Sequence, residues 1–206
     1  MKILIVTGGI GSGKSLVSRM LTEYHGIPVY EADSRVKALY SDIPSMLDEI
    51  EAALGTVLRN GAGAFVPQKL AEIIFSDRES LRKVEDIVFP HLQNDFLKWA
   101  SAQEKEVVAL ESATILEKSQ FDGFGDIVLV VDAPKSLRLS RACARDAMQE
   151  ERILQRMAAQ PLMNHISDGG SCSRVDHVIM NDSTVDDLHA KIDDFIEKYG
   201  LTKMLL

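Results

Sequence analysis
A chain of 206 residues with 46% apolar content can bury a proper core in one domain with inserted subdomains, and is neither disordered nor a fibrous repeat. Its formal net charge of −8 argues against a protein that grips nucleic acid broadly, which needs a basic surface. No run approaches the roughly 18 apolar residues of a membrane span, the apolar run before Thr7 is too short for a signal peptide, and Cys143 and Cys172 have no neighbour at metal-ligand spacing. A cytoplasmic protein with reduced thiols is expected, without membrane or nucleic-acid partner and by default a monomer.

Residues 3–6, "ILIV", are short, apolar and β-branched and run into glycines, which predicts a buried strand. Residues 14–24 predict a helix with Leu16, Val17, Met20 and Leu21 on one side. "GIPVY" supplies a second short strand ending near Tyr30, and the next helix starts at Asp33 or Ser34, either of which can cap it. From there to about residue 105 the pattern is almost wholly helical. Asp42 with Pro44 opens one helix, "LRNGAGAF" is a loop and "PQKLAEIIF" a short helix; Ser76 and Glu79 form a capping box before a long helical stretch interrupted at Pro90.

Strands return at "EVVALE" and "DIVLVVDA", continuous apolar runs that suit a parallel sheet covered on both faces. "PKSLRLSRACARDAM" and "QEERILQRMAAQ" read as helices, "SDGGSCSR" as a break, "DHVIMND" as the last strand, and "TVDDLHAKIDDFIEKYG" as a closing helix ended by Gly200. Strands separated by helices imply right-handed crossovers and a three-layer α/β sandwich, with residues 36–105 inserted as a helical segment.

The stretch "GGIGSGKS", residues 8–15, fits G-x-x-x-x-G-K-[ST] between a predicted strand and a predicted helix, the context a phosphate-binding loop requires. Gly8, Gly11 and Gly13 permit a backbone that aims consecutive N–H groups inward, above the positive end of the following helix. Lys14 adds a full charge at the outer phosphates, and the Ser15 hydroxyl can ligate Mg²⁺. The loop therefore points to a nucleoside triphosphate. The guanine-reading N-K-x-D segment and D-x-x-G switch of a GTPase are not found in the expected order. Asp132 and Glu111, each ending an apolar run, fit either Walker B acids of an ATPase or plain strand termini.

The second informative stretch is "VYEADSRVK". A carboxylate just beyond a strand of an open α/β sheet lies at the ligand-binding edge, so Asp33 can take a proton from an attacking hydroxyl or serve only as a helix cap. Glu31 can share that work or help hold Mg²⁺ through water. Lys37, one turn on, would face the same cleft. Arg138, Arg141, Arg145, Arg152 and Arg156 form a dense run of guanidiniums in an acidic protein, suited as a set to closing over phosphate and individually to a solvated helix face.

"TGGIGSGKSLV", "VYEADSRVK", "LAEIIFSDRESLRKVEDIVFPHL", "SRACARD", "RMAAQ" and "DHVIMND", in this order, resemble the dephospho-coenzyme A kinase family over nearly the whole chain. The resemblance implies a P-loop kinase fold with a five-stranded parallel sheet, a helical substrate domain and a lid. Residues 1–35, 106–147 and 174–206 would form the nucleotide-binding core, 36–105 the acceptor domain and 148–173 the lid. It also implies that ATP, with Mg²⁺, phosphorylates the ribose 3′-hydroxyl of dephospho-CoA to give CoA and ADP.

By the same resemblance Asp33 is the catalytic base, with Lys14 and Arg141 assisting the transfer. Gly8, Gly9, Gly11, Ser12, Gly13, Lys14, Ser15, Leu16, Arg141, Arg145 and Arg156 surround the nucleotide, Arg156 with Gln160 matching an "R-x-x-x-Q" lid pattern. Asp33, Lys37 and Glu117 contact the acceptor, and Ser15 holds the metal. The chain departs from the family pattern at Leu16 (usually threonine), Glu31 (usually aspartate) and Phe89 (usually histidine before proline). "ESATILE" replaces a proline-containing segment, and no lysine or arginine lies between Gln160 and Arg174. The rival readings are a nucleoside or nucleotide kinase with another acceptor pocket, and a nucleotide-dependent switch module that transfers no phosphoryl group.

Overall fold
A computed structural model describes residues 1–146 and 149–201; residues 147–148, where the expected core meets the expected lid, and 202–206, the end of the expected core, lie outside the described residues. The strands are β1 (Lys2–Thr7), β2 (Val29–Glu31), β3 (Val107–Glu111), β4 (Ile127–Asp132) and β5 (His177–Met180). The helices are α1 (Lys14–His25), α2 (Ala32–Asp42), α3 (Pro44–Leu54), α4 (Pro67–Ser76), α5 (Arg78–Ala102), α6 (Lys135–Asp146), α7 (Glu150–Ala158), α8 (Pro161–Ser167) and α9 (Val185–Tyr199).

The strands form one all-parallel sheet in the order β2-β3-β1-β4-β5, with Leu4 of β1 registered against Ala109 on one side and Ile127 on the other. All five residues of β3 are buried, as expected for a strand covered on both faces. Leu4, Val6, Leu129, Val131 and Ile179 pack with Val17, Met20 and Leu21 of α1 and with Leu188, Ile192, Phe195 and Ile196 of α9. The α9 residues recur at i, i+4, i+7 and i+8, one face of the helix, and burying each such side chain contributes about 1.5–3 kcal/mol. The Thr184 side chain caps α9 by accepting from the Asp187 N–H at 3.2 Å. Because the sheet is parallel, Thr7, Glu111 and Asp132 end their strands on one edge, and the glycine loop leaves β1 there.

The chain divides into two compact units, Met1–Glu31 with Gln103–Leu206, and Ala32–Ala102. In the second, α5 presents Val84, Val88, Leu92, Phe96 and Ala100, one buried stripe at four-residue spacing, and Leu39, Met46, Leu47, Ile50, Leu58 and Leu70 are buried in the same unit. Arg35 ties α2 to α5, donating from Nε and Nη2 to both Asp95 oxygens (2.8 and 2.9 Å) and from Nη1 to Asp42 (2.6 Å).

Several local expectations are corrected. α2 already begins at Ala32, so neither Asp33 nor Ser34 caps it, and Asp42 closes α2 while α3 starts on Pro44. Ser76 is still helical and its hydroxyl donates back to the Glu72 carbonyl at 2.8 Å; Asp77 caps α5 instead, accepting from the N–H groups of Glu79 (3.1 Å) and Ser80 (2.9 Å). α5 also runs on through Pro90. An interior proline costs about 3 kcal/mol, and the buried stripe on both sides of it, Val84 and Val88 before and Leu92, Phe96 and Ala100 after, offsets that cost. Residues 161–166, unassigned by periodicity, form α8 together with Ser167, which was expected to open the break, and proline takes its first position.

Candidate active site
The loop from Gly8 to Gly13 owes its shape to what lies beneath it. Gly11 (φ 76°) and Gly13 (φ 99°) take the left-handed backbone that side chains avoid. A Cβ at Gly11 would stand 2.1 Å from the Arg138 carbonyl oxygen, one at Gly9 1.9 Å from Arg138 Nη1, and one at Gly13 2.1 Å from Asn181 Nδ2. The floor is thus made by α6 and by the residue just past β5. Asn181 Nδ2 donates to the Ser12 carbonyl at 2.8 Å, and the Asn181 N–H donates to the Asp132 carbonyl at 2.7 Å. Gln160 holds the loop tip from the other side: its Oε1 accepts from Ile10 N–H at 3.0 Å, while its Nε2 donates to the Ala113 carbonyl at 2.9 Å.

Arg138 is 1% exposed, with Nε 3.7 Å from Asp132 Oδ1. Neither atom makes an aligned hydrogen bond among the described residues, so charge rather than a directed bond pairs them. The Ser12 hydroxyl is also buried beneath the loop without a hydrogen-bond partner among the described residues.

Above the loop lies a cavity of about 200 Å³ lined by Gly11, Gly13, Lys14, Ser15, Arg141 and Arg145. Six of the residues expected around a nucleotide are therefore brought together. Three cationic side chains and the N-terminus of α1 make this an anion-attracting cleft. Lys14 Nζ lies 4.0 Å from Glu111 Oε1, and Arg141 Nη1 donates to the Asn181 carbonyl at 3.0 Å. Arg145 lines the cleft while donating from Nε to Asp146 Oδ1 at 2.6 Å; Arg156 is not part of the lining and donates to Asp146 Oδ2 at 2.8 Å. These two guanidiniums, Arg145 first, hold the Asp146 carboxyl down at about 2. The Ser15 hydroxyl is exposed at the start of α1 and the Glu111 carboxylate is buried beside Lys14. Both are hard oxygen donors of the kind Mg²⁺ takes, so the residues present fit that ion.

The remaining expected residues sit as follows. Gly8, Gly9 and Ser12 are buried residues of the loop itself. Leu16 packs against the core and its N–H donates to the Gly13 carbonyl at 2.9 Å. Glu117, in a 3₁₀ turn over Ile115–Glu117, accepts from the Leu162 N–H at the start of α8 at 2.9 Å. Asp33 and Lys37 are exposed, four residues apart on α2 and hence on one face of it.

Motif reading missed the supporting roles of Arg138, Asp132 and Asn181. The signals were weak: Arg138 stands four residues before buried Ala142 on α6, and Asn181 follows an apolar strand at its polar end.

A parallel sheet whose central strand feeds a glycine loop, with lysine and serine under a helix N-terminus, defines a P-loop nucleotide-binding protein of the kinase class. The family model described as CoaE: Dephospho-CoA kinase matches residues 2–187, and the chain belongs to the dephospho-CoA kinase family. A dephospho-CoA kinase from Porphyromonas gingivalis is 40% identical over 85% of this chain and 84% of its own. Another from Fusobacterium nucleatum is 33% identical over 96% and 99%. Among solved structures, a Thermus thermophilus protein superposes with a TM-score of 0.80 at 27% identity over 96% of this chain and 97% of its own. An Acinetobacter baumannii shikimate kinase shares the fold, with a TM-score of 0.54 at 18% identity over 98% and 96%. No helix among the described residues is long and apolar enough to cross a membrane. As a kinase of this family, the chain uses ATP as its phosphoryl donor.

Proposed function
We propose that this protein transfers the γ-phosphoryl group of ATP to the ribose 3′-hydroxyl of dephospho-CoA, giving CoA and ADP, the last step of CoA synthesis. The observation that carries the reading is the cationic cleft above the glycine loop, in a chain matched to the family from residue 2 to 187. Main-chain N–H groups of the loop and the Lys14 ammonium hold the donor's outer phosphates. Arg141 and Arg145 offset charge that spreads over the transferring group, with Arg156 joining them from a lid formed by residues 148–173. Asp33 orients the acceptor hydroxyl and takes its proton. Lys37 and Glu117 contact the acceptor, and residues 36–105 form the domain that receives it. Ser15 holds Mg²⁺, which when bound neutralises charge on the phosphates.

The transfer passes through a loose transition state, so positioning and electrostatics supply most of the acceleration. Water must be excluded, or ATP would be hydrolysed without an acceptor. A coupled ADP-release assay tests the reading. ADP should appear with dephospho-CoA and only weakly without acceptor or with a nucleoside monophosphate. Equal turnover with the monophosphate, or hydrolysis indifferent to dephospho-CoA, would overturn it.

A further inference from the structure
His25 at the last turn of α1 and His189 and Asp193 on α9 bring two imidazoles and a carboxylate together, one donor atom from each lying within 4.8 Å of the others. His189 and Asp193 are an i, i+4 pair, so they share a helix face, and the packing of α1 on α9 delivers His25 to that face. Asp193 Oδ1 is 3.2 Å from His25 Nε2, and Asp193 Oδ2 is 3.5 Å from His189 Nδ1. The Nε2 atoms of both histidines are closed off from solvent, yet neither makes an aligned hydrogen bond among the described residues. Buried polar atoms are rarely left so. The Tyr24 ring packs edge-on against His189, with ring centroids 4.5 Å apart.

We propose that His25, His189 and Asp193 form a binding site for a divalent transition metal, Zn²⁺ in type, that clamps the end of α1 to α9. Tetrahedral Zn²⁺ with Zn–N and Zn–O near 2.0–2.2 Å needs donors about 3.4 Å apart. The widest spacing in this set, at most 4.8 Å, exceeds that by about 1.4 Å, so a bound ion would draw the three side chains together. Asp193 is half exposed, leaving room for water as fourth ligand. Two imidazoles and one carboxylate suit Zn²⁺ and are poor ligands for Mg²⁺, which takes oxygen. The twelve residues of α1 separate the site from Lys14 by roughly 17 Å at 1.5 Å per residue, so it is distinct from the phosphate cleft. The site does not depend on the identity of the acceptor.

The test is a Zn²⁺ titration of the metal-stripped full chain by calorimetry and thermal unfolding. Millimolar Mg²⁺ is kept present, in a Cys143→Ser, Cys172→Ser background that silences the thiols. One Zn²⁺ per chain should bind with Kd below about 1 µM, and Tm should rise by roughly 3–8 °C at saturation. Losing an outer partner of a metal ligand already costs about 10–100-fold in affinity, so His189→Gln and Asp193→Asn should each weaken binding by at least about 100-fold and abolish the Tm shift. Their Tm in EDTA reports folding independently, and Asp193→Asn, at a half-exposed position, serves if a histidine variant fails to fold. No Zn²⁺ binding by the parent, or undiminished affinity in the folded variants, would overturn the proposal.

Discussion
In the run Arg138, Arg141, Arg145, Arg152 and Arg156 the sequence presents five arginines alike, and burial separates them. Arg152 is exposed, Arg141 and Arg145 line the cleft, and Arg138 lies under the loop beside Asp132. A buried guanidinium cannot be read from a pattern in which arginine marks a wet helix face; only the sheet edge beneath it makes burial favourable. Replacing Arg138 by methionine should leave Asp132 charged and unpaired and cost about 3–5 kcal/mol in urea unfolding, most of it recovered in the Arg138→Met/Asp132→Asn double variant. The loop residues were legible for the opposite reason: Gly8, Gly11, Gly13, Lys14 and Ser15 fall at fixed intervals within eight consecutive residues. Lys14→Ala should raise the KM for ATP and lower kcat by about 10²–10³-fold. Asp33→Asn should lower kcat by about 10²–10⁴-fold with ATP affinity unchanged, the split that marks a base rather than a nucleotide contact.

Elements longer than ten residues, such as α1 and α9, show their buried faces as periodicity, and the five strands stand out as apolar runs. What escaped was short or capped by an unexpected neighbour. The seven residues of α8, "PLMNHIS", span too few turns for a period to emerge, and the helix is held by Glu117 on Leu162 and by Gln160 on the loop tip, contacts far apart in sequence. At the junction of α4 and α5, Ser76, Asp77 and Glu79 all carry capping chemistry, and the backbone decides among them. The arginine pair at the end of α6 and in α7 makes a pH-sensitive clasp. Asp146 has its folded pKa depressed to about 2, so the clasp is intact above the ordinary carboxylate range and is lost as pH falls through about 2. Side-chain carboxyl NMR should show that midpoint, and Arg145→Gln/Arg156→Gln should return it toward about 4.

On the scale of the molecule, fold class and strand count were legible because a parallel sheet wrapped by helices demands apolar runs at helix-length intervals. Strand order was not. β1 is central, between β3 and β4, and β2 lies at one edge although it is second in the chain. Order depends on which crossovers pack, and one strand's composition does not show it. Native-state hydrogen exchange should be slowest in β1, β3 and β4, with β2 and β5 opening earlier at the edges.

Asn181 carries a different kind of consequence. One amide side chain and its own peptide join Ser12, Asp132 and Arg141, residues strewn across most of the polypeptide. A growing chain on the ribosome therefore carries its glycine loop for 169 further residues before the amide that supports Ser12 is added.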